Sequence, residues 1–194
     1  MITTIIVLAL VVGIPLLVGL YVWATYNRLV GLRNRVSESW SDIQVQMKRR
    51  YDLIPNLVET VKGYAGHERG TLESVIQARA TAMANQGTPA QQGLSEGILT
   101  GALKSLFALS EAYPELKANE NFMQMQRDLS EIEEHIQRSR RFYNGSVREM
   151  NDAIGMFPSN VVAGLFGFKA GSFFELDPNE REAASQAPKV DFGQ

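Results

Sequence analysis

The first 27 residues, MITTIIVLALVVGIPLLVGLYVWATYN, carry no charged side chain; Arg28 is the first. From Ile2 to Tyr26 the run is about 25 residues. At about 1.5 Å per residue a helix of that length reaches about 37 Å, enough to cross a hydrocarbon core of about 30 Å with some tilt. A cleaved signal peptide would show a basic leading region and an apolar core of about 7 to 15 residues, and the run has neither. Pro15, between Gly13 and Gly19, kinks such a span without preventing it. Tyr21, Trp23 and Tyr26 fall where an aromatic belt belongs. Basic residues on short flanks stay cytoplasmic, and Arg28, Arg33 and Arg35 follow the span while none precedes it. The expected topology is a single pass with the N-terminus outside and the remaining chain cytoplasmic.

Beyond the span, Leu29, Leu32, Val36, Trp40, Ile43, Met47 and Tyr51 recur at steps of three and four, so the membrane helix is expected to run on into a folded domain. Pro55 interrupts that pattern. The residue before a proline is steered away from the helical region, whereas the first turn of a helix tolerates one. The spacing therefore predicts a corner at Asp52–Pro55, with Asp52 capping a second helix that carries Leu57, Val58, Val61, Ala65, Leu72, Val75, Ile76 and Met83. The same grammar recurs at Thr88-Pro89, which predicts a third helix with Leu94, Ile98, Ala102, Leu106 and Leu109, ending near Tyr113 and Pro114. From Phe122 to Phe157 the apolar spacing averages about 3.5 residues, the coiled-coil value. The fold class expected is all-α: a transmembrane anchor at 1–27, an antiparallel four-helix bundle at 28–157, and a Phe/Gly-rich membrane-proximal segment with a polar tail at 158–194.

A formal net charge of −2 gives no electrostatic footprint for nucleic acid. The absence of cysteine excludes disulfides, thiolate metal sites and cysteine nucleophiles. A carboxylate-bridged di-metal site in a bundle needs Glu-x-x-His pairs. His135 has Ile132 three residues before it and His67 has Tyr64, so that spacing fails and no metal or cofactor is expected. No nucleophile elbow or phosphate-cradling glycine loop appears, and no enzymatic activity is expected. Lys48–Arg50 reads as a set of cations at the end of the first helix, and Arg138–Arg141 as the polar face of the fourth.

Two segments stand out as candidate interaction surfaces. Gly93, Gly97 and Gly101, continued by Ser105, form a small-residue row along the third helix. Each interior glycine costs up to about 1 kcal/mol relative to alanine, so the row implies close approach of another backbone, in the same bundle or in another subunit. The stretch FPSNVVAGLFGFKAGSFFE gathers Phe157, Leu165, Phe166, Phe168, Phe173 and Phe174. Helix parity in an up-down bundle delivers it near the bilayer. With Lys169 as its only basic residue, packing on protein ranks above lipid.

Several blocks resemble the LemA family of bacterial membrane proteins: YNRLVGLRNRVSESWSDIQVQMKRRYDLIPNLVETVKGYAGHERGTLESV, AYPELKANENF, SRRFYNGSVREMNDAIGMFPSN, and Phe173-Phe174-Glu175 with Val190 and Phe192. The resemblance implies one N-terminal membrane helix and a helical bundle in a bacterial cell membrane. It supplies no established activity and no catalytic residues. The function expected is a membrane-anchored scaffold or interaction protein, self-associating as a homo-oligomer, with other membrane or envelope proteins as further partners. The alternatives are a membrane-tethered small-molecule or metal-binding sensor and an extracytoplasmic envelope adaptor.

Overall fold

The computed structural model describes residues 1–175; the extended polar tail expected from Leu176 onward lies outside the described residues. The fold is all-helical, with no strand among the described residues. Its elements are α1 (Ile2–Ala65), α2 (Arg69–Ala84), α3 (Pro89–Ser110), a short α4 (Pro114–Lys117), α5 (Glu120–Gly155) and α6 (Ser159–Leu165). The apolar run forms the start of α1 and is long and apolar enough to cross a membrane. Its side chains from Leu8 through Leu20 stand almost entirely exposed, as a lipid-facing surface would.

The expected corner at Asp52–Pro55 is not there. Helix α1 continues unbroken through Pro55 to Ala65, and the chain turns at Gly66–Glu68 instead. Asp52 caps nothing; it takes a 2.7 Å salt bridge from Lys48 one turn earlier. A proline inside a helix strands the carbonyl four residues before it, here that of Tyr51. Arg79 of α2 supplies the missing donor, its Nε–H reaching the Tyr51 carbonyl oxygen at 2.8 Å. The backbone bond that Pro55 cannot make is thus replaced by a side chain from the neighbouring helix. Apolar side chains on either side of the proline, Ile54, Leu57, Val58 and Val61, are all buried and hold this part of the helix against the core.

The starts of α3 and α5 follow the sequence signals, whereas the short helices α4 and α6 have no counterpart in the expected fold, α6 lying in the segment that reads as irregular after Phe157. Thr88 caps α3 with a capping box: the Gln91 N–H donates to Thr88 Oγ1 at 3.3 Å and the Thr88 N–H to Gln91 Oε1 at 2.9 Å. Pro89 occupies the first turn, as the pattern predicts. Asn119 starts α5, its Oδ1 accepting the Phe122 N–H at 2.9 Å.

The described chain divides into two compact units, one of residues 1–41 with 142–171, the other of 42–141 with 172–175. In the first, Leu29 and Leu32 of α1 pack with Met150 and Ala153 of α5 and with Val162 and Ala163 of α6. Trp40 meets Tyr143 with ring centroids 5.4 Å apart, and Arg35 reaches Glu149 at 2.9 Å. In the second, the buried set includes Ile43, Leu57, Val75, Leu99, Leu106, Leu116, Phe122 and Ile136. Phe107 and Phe122 close edge to face at 6.2 Å.

The replacement bond at Tyr51 is separable by mutation. Arg79→Met leaves the Tyr51 carbonyl without its donor and should cost about 1 to 3 kcal/mol. Pro55→Ala restores the helical N–H and removes the ring, so it should raise the melting temperature and reduce the cost of Arg79→Met. Thermal unfolding of the two single variants and the double variant measures that coupling; purely additive effects would contradict it.

Candidate functional site

The second unit holds a polar cluster in an otherwise apolar core, built from α1, α3 and α5. Gln92 and Glu96 lie four residues apart on α3, on the same face as Leu99 and Leu103, and helical spacing sends all four inward. Glu96 is fully buried. Its Oε1 accepts the Tyr51 hydroxyl in a short hydrogen bond and the Gln92 Nε2 at 3.1 Å. Its Oε2 lies 3.5 Å from Arg50 Nη1, which also meets Glu133 Oε2 of α5 at 3.1 Å. Arg50 Nη2 donates to Thr100 Oγ1 at 2.7 Å. One guanidinium therefore faces two carboxylates.

Burial pushes the Glu96 carboxyl above its ordinary range, against the lowering influence of Tyr51, Arg50 and Gln92, and Glu133 adds to the rise. Burial likewise pushes the Tyr51 hydroxyl up, with the neighbouring Glu96 charge acting in the same direction. A phenol held in that state is a hydrogen-bond donor, not a base. The members of the cluster bond chiefly to one another, which ties α1, α3 and α5 together through one polar network.

In the sequence Lys48–Arg50 reads as a helix end, which the structure corrects: α1 does not end there, and Arg50 is buried in the cluster. The available signal is Glu96, a carboxylate on the apolar stripe of α3, which needs a buried cation. His135 sits near Glu131 on the surface of α5 at 3.6 Å. No group of three or more His, Asp or Glu side chains is placed to hold a metal among the described residues.

The candidate interaction residues fall in three places. Gly93 is buried, and a Cβ there would run into the Glu175 carbonyl, so the chain's own backbone occupies that approach. Gly101 is exposed with open space where a Cβ would be, and Gly97 is half-buried between them. Phe174 is fully buried and Phe173 half-buried in the second unit. Phe168 is half-buried against the first unit's cluster. Phe157, Leu165 and Phe166 remain exposed.

A groove of about 400 Å³ also opens in the second unit, lined by Gln46, Arg49, Asp52 and Leu53 of α1 and by Asp128, Glu131, Ile132 and His135 of α5. Gln46, one of the lining residues, has its Oε1 buried with no hydrogen-bond donor among the described residues.

Removing one partner of the cluster leaves a buried charge, so Arg50→Met should destabilise the domain by about 3 to 5 kcal/mol, and adding Glu96→Gln should recover part of that loss. The pH dependence has a definite sign. Because the folded state raises the Glu96 pKa, the folded protein keeps the proton where the unfolded chain has lost it. Its stabilising contribution is complete below the ordinary value of 4.5 and is lost as pH rises through the folded value. Urea unfolding across that range should show wild-type stability, measured relative to Glu96→Gln, falling as pH rises; a rise would contradict the burial account.

A family model described as the LemA family matches residues 39–192. The chain is 27% identical over 158 residues to Protein LemA of Metamycoplasma hominis, covering 80% of this chain and 71% of that protein. It is 26% identical over 178 residues to Magnetosome protein MamQ 2 of Paramagnetospirillum magneticum, and 25% identical over 178 residues to Magnetosome protein MamQ of Magnetospirillum gryphiswaldense. Each of these two alignments covers 79% of this chain and 65% of the magnetosome protein, so the chain spans just under two thirds of their length. The matched region takes in α1 from Ser39, the buried cluster and α2 through α6, and the chain belongs to the LemA family.

Proposed function

We propose that this protein is a membrane-anchored helical scaffold that self-associates through the outward face of α3. The observation that carries this reading is the composition of that face. Leu94, Gly97, Ile98, Gly101 and Ser105 share one side of the helix, opposite the buried Leu99, Leu103 and Leu106. Ile98 is 62% exposed and Leu94 45%. A helix apolar on two opposite sides is suited to burial on both. Small residues interleaved with Leu94 and Ile98 let a second helix approach closely.

In this reading α1 crosses a bacterial membrane once, with the N-terminus outside and the domain cytoplasmic. The four long helices pack as an antiparallel bundle. The pairings Arg35–Glu149 and Trp40–Tyr143 in one unit, and Arg50–Glu133 and Tyr64–Asn119 in the other, support the antiparallel course of α1 and α5 within that bundle, since the partner number falls as the α1 number rises. The self-enclosed Arg50–Glu96 cluster supports a binding role over catalysis. A second reading, a sensor of a small polar molecule, is favoured by the groove between α1 and α5, whose lining carries Arg49 beside the carboxylates Asp52, Asp128 and Glu131.

Native mass spectrometry of the detergent-purified full chain decides the scaffold reading. Ile98→Asp and Gly97→Leu should convert an oligomer into a monomer whose helical circular dichroism is unchanged. An oligomer that survives both substitutions would remove α3 as the contact.

A further inference from the structure

Helix α6 is two-faced, and none of the described residues covers its outer face. Val162 and Ala163 are buried against Leu29, Leu32, Met150 and Ala153. On the other side Val161 is 62% exposed and Leu165 74%, flanked by Phe157 at 82% and by the exposed Met156 and Phe166. This is a contiguous stretch of sequence in which large apolar side chains point away from the protein, and it requires an apolar surrounding.

The place of α6 along α1 says which one. Its cluster takes in Val22, and Tyr26 lies 4.8 Å from Phe166 and 5.9 Å from Phe168, centroid to centroid. Val22 and Tyr26 belong to the last turns of the apolar run, before Arg28. The exposed face of α6 therefore continues the exposed surface of the span itself, to which Trp23 belongs. All of these residues belong to one compact unit.

The chain also fixes the segment at that level. Gly167, with φ of +70°, ends α6 in a Schellman turn: the Phe168 N–H donates to the Ala163 carbonyl at 2.9 Å and the Gly167 N–H to the Gly164 carbonyl at 3.3 Å. That turn sends Phe168 back onto α1, where the Arg33 guanidinium stands 5.7 Å from its ring centroid. Asn151 then clamps the chain, accepting the Gly171 N–H at 2.8 Å and donating to its carbonyl at 3.0 Å. Lys169, as the segment's only basic residue, ranks protein above lipid in the sequence; the structure adds Arg33 of α1 at Phe168 and the continuity with the span, and these reverse that ranking for the outer face of α6.

We infer that α6 is an interfacial collar: its outer face, Phe157, Val161, Leu165 and Phe166, lies in the boundary between headgroups and acyl chains of the membrane that α1 crosses. The inference rests on α1 crossing a bilayer, and the test separates the two. The chain has no cysteine, so single cysteines carry a polarity-sensitive fluorophore cleanly. Leu10→Cys reports the span, Leu165→Cys and Val161→Cys report the collar, and Ser130→Cys on α5 is the aqueous control. The full chain is reconstituted in phosphatidylcholine vesicles whose lipids carry a quencher at a shallow or a deep acyl position. Both collar sites should lose most of their emission to the shallow quencher, Leu10 most to the deep one, and Ser130 none to either. Quenching at Leu10 with unquenched collar sites overturns the collar and leaves the anchor standing. No quenching at Leu10 overturns both. Collar emission that is blue-shifted, unquenched by lipid, and lost on dilution of the protein assigns the face to a second copy and overturns the lipid assignment. Phe157→Ser with Leu165→Ser, on the exposed face, should leave the helical signal intact and weaken shallow quenching at Val161→Cys; unchanged quenching there contradicts the role of these side chains.

Discussion

Tyr51 is held at both ends, and much of the second unit depends on it. Its backbone carbonyl, stranded by Pro55, takes the Arg79 side chain; its hydroxyl donates to Glu96, which Arg50 and Gln92 also hold. One residue of α1 therefore ties that helix to α2 through its main chain and to α3 through its side chain. Without the Arg79 bond the helix would carry an unsatisfied carbonyl in its middle. With it, a single α-helix leads from the apolar run into the core of the domain.

The polar cluster has a cost that apolar residues would not incur, since burying ions seldom gains net stability. Its value lies in specificity. Glu96 on α3 accepts only an arrangement that brings Arg50 and Tyr51 of α1 to it, and Glu133 of α5 engages the same guanidinium. Sliding any of these helices by one turn would leave a buried charge unpaired. Apolar stripes alone resist such slips weakly, because one leucine replaces another at similar volume.

The helices of this chain are largely legible in its sequence. The capping box at Thr88 and Gln91, the proline at α3's first turn and the periodicity of α5 have local causes, and local causes can be read locally. Pro55 reads as a corner because the donor that rescues Tyr51 comes from Arg79, 28 residues away in the chain. Read as an exposed arginine, Arg79 gives no hint of that role. Arg50 is hidden for the same reason: its position looks like a helix end only because Pro55 looks like a helix start. The glycine row is legible as a demand for close approach, but not that Gly93 and Gly101 face different surroundings. Phenylalanine content identifies the segment after α5, while the division between buried Phe174 and exposed Phe157 needs the turn at Gly167.

The continuity of α1 through Pro55 carries the account, and one distance tests it. Spin labels at Gln44 and Lys62, both exposed on α1, lie 18 residues apart across the proline. An unbroken helix places the two backbone positions about 27 Å apart. Pulsed electron resonance on the full chain in lipid nanodiscs should return a single narrow distribution near that separation, allowing for the label arms. A distribution centred at about 15 Å or less would mean that the chain turns back at Pro55, and would contradict the account.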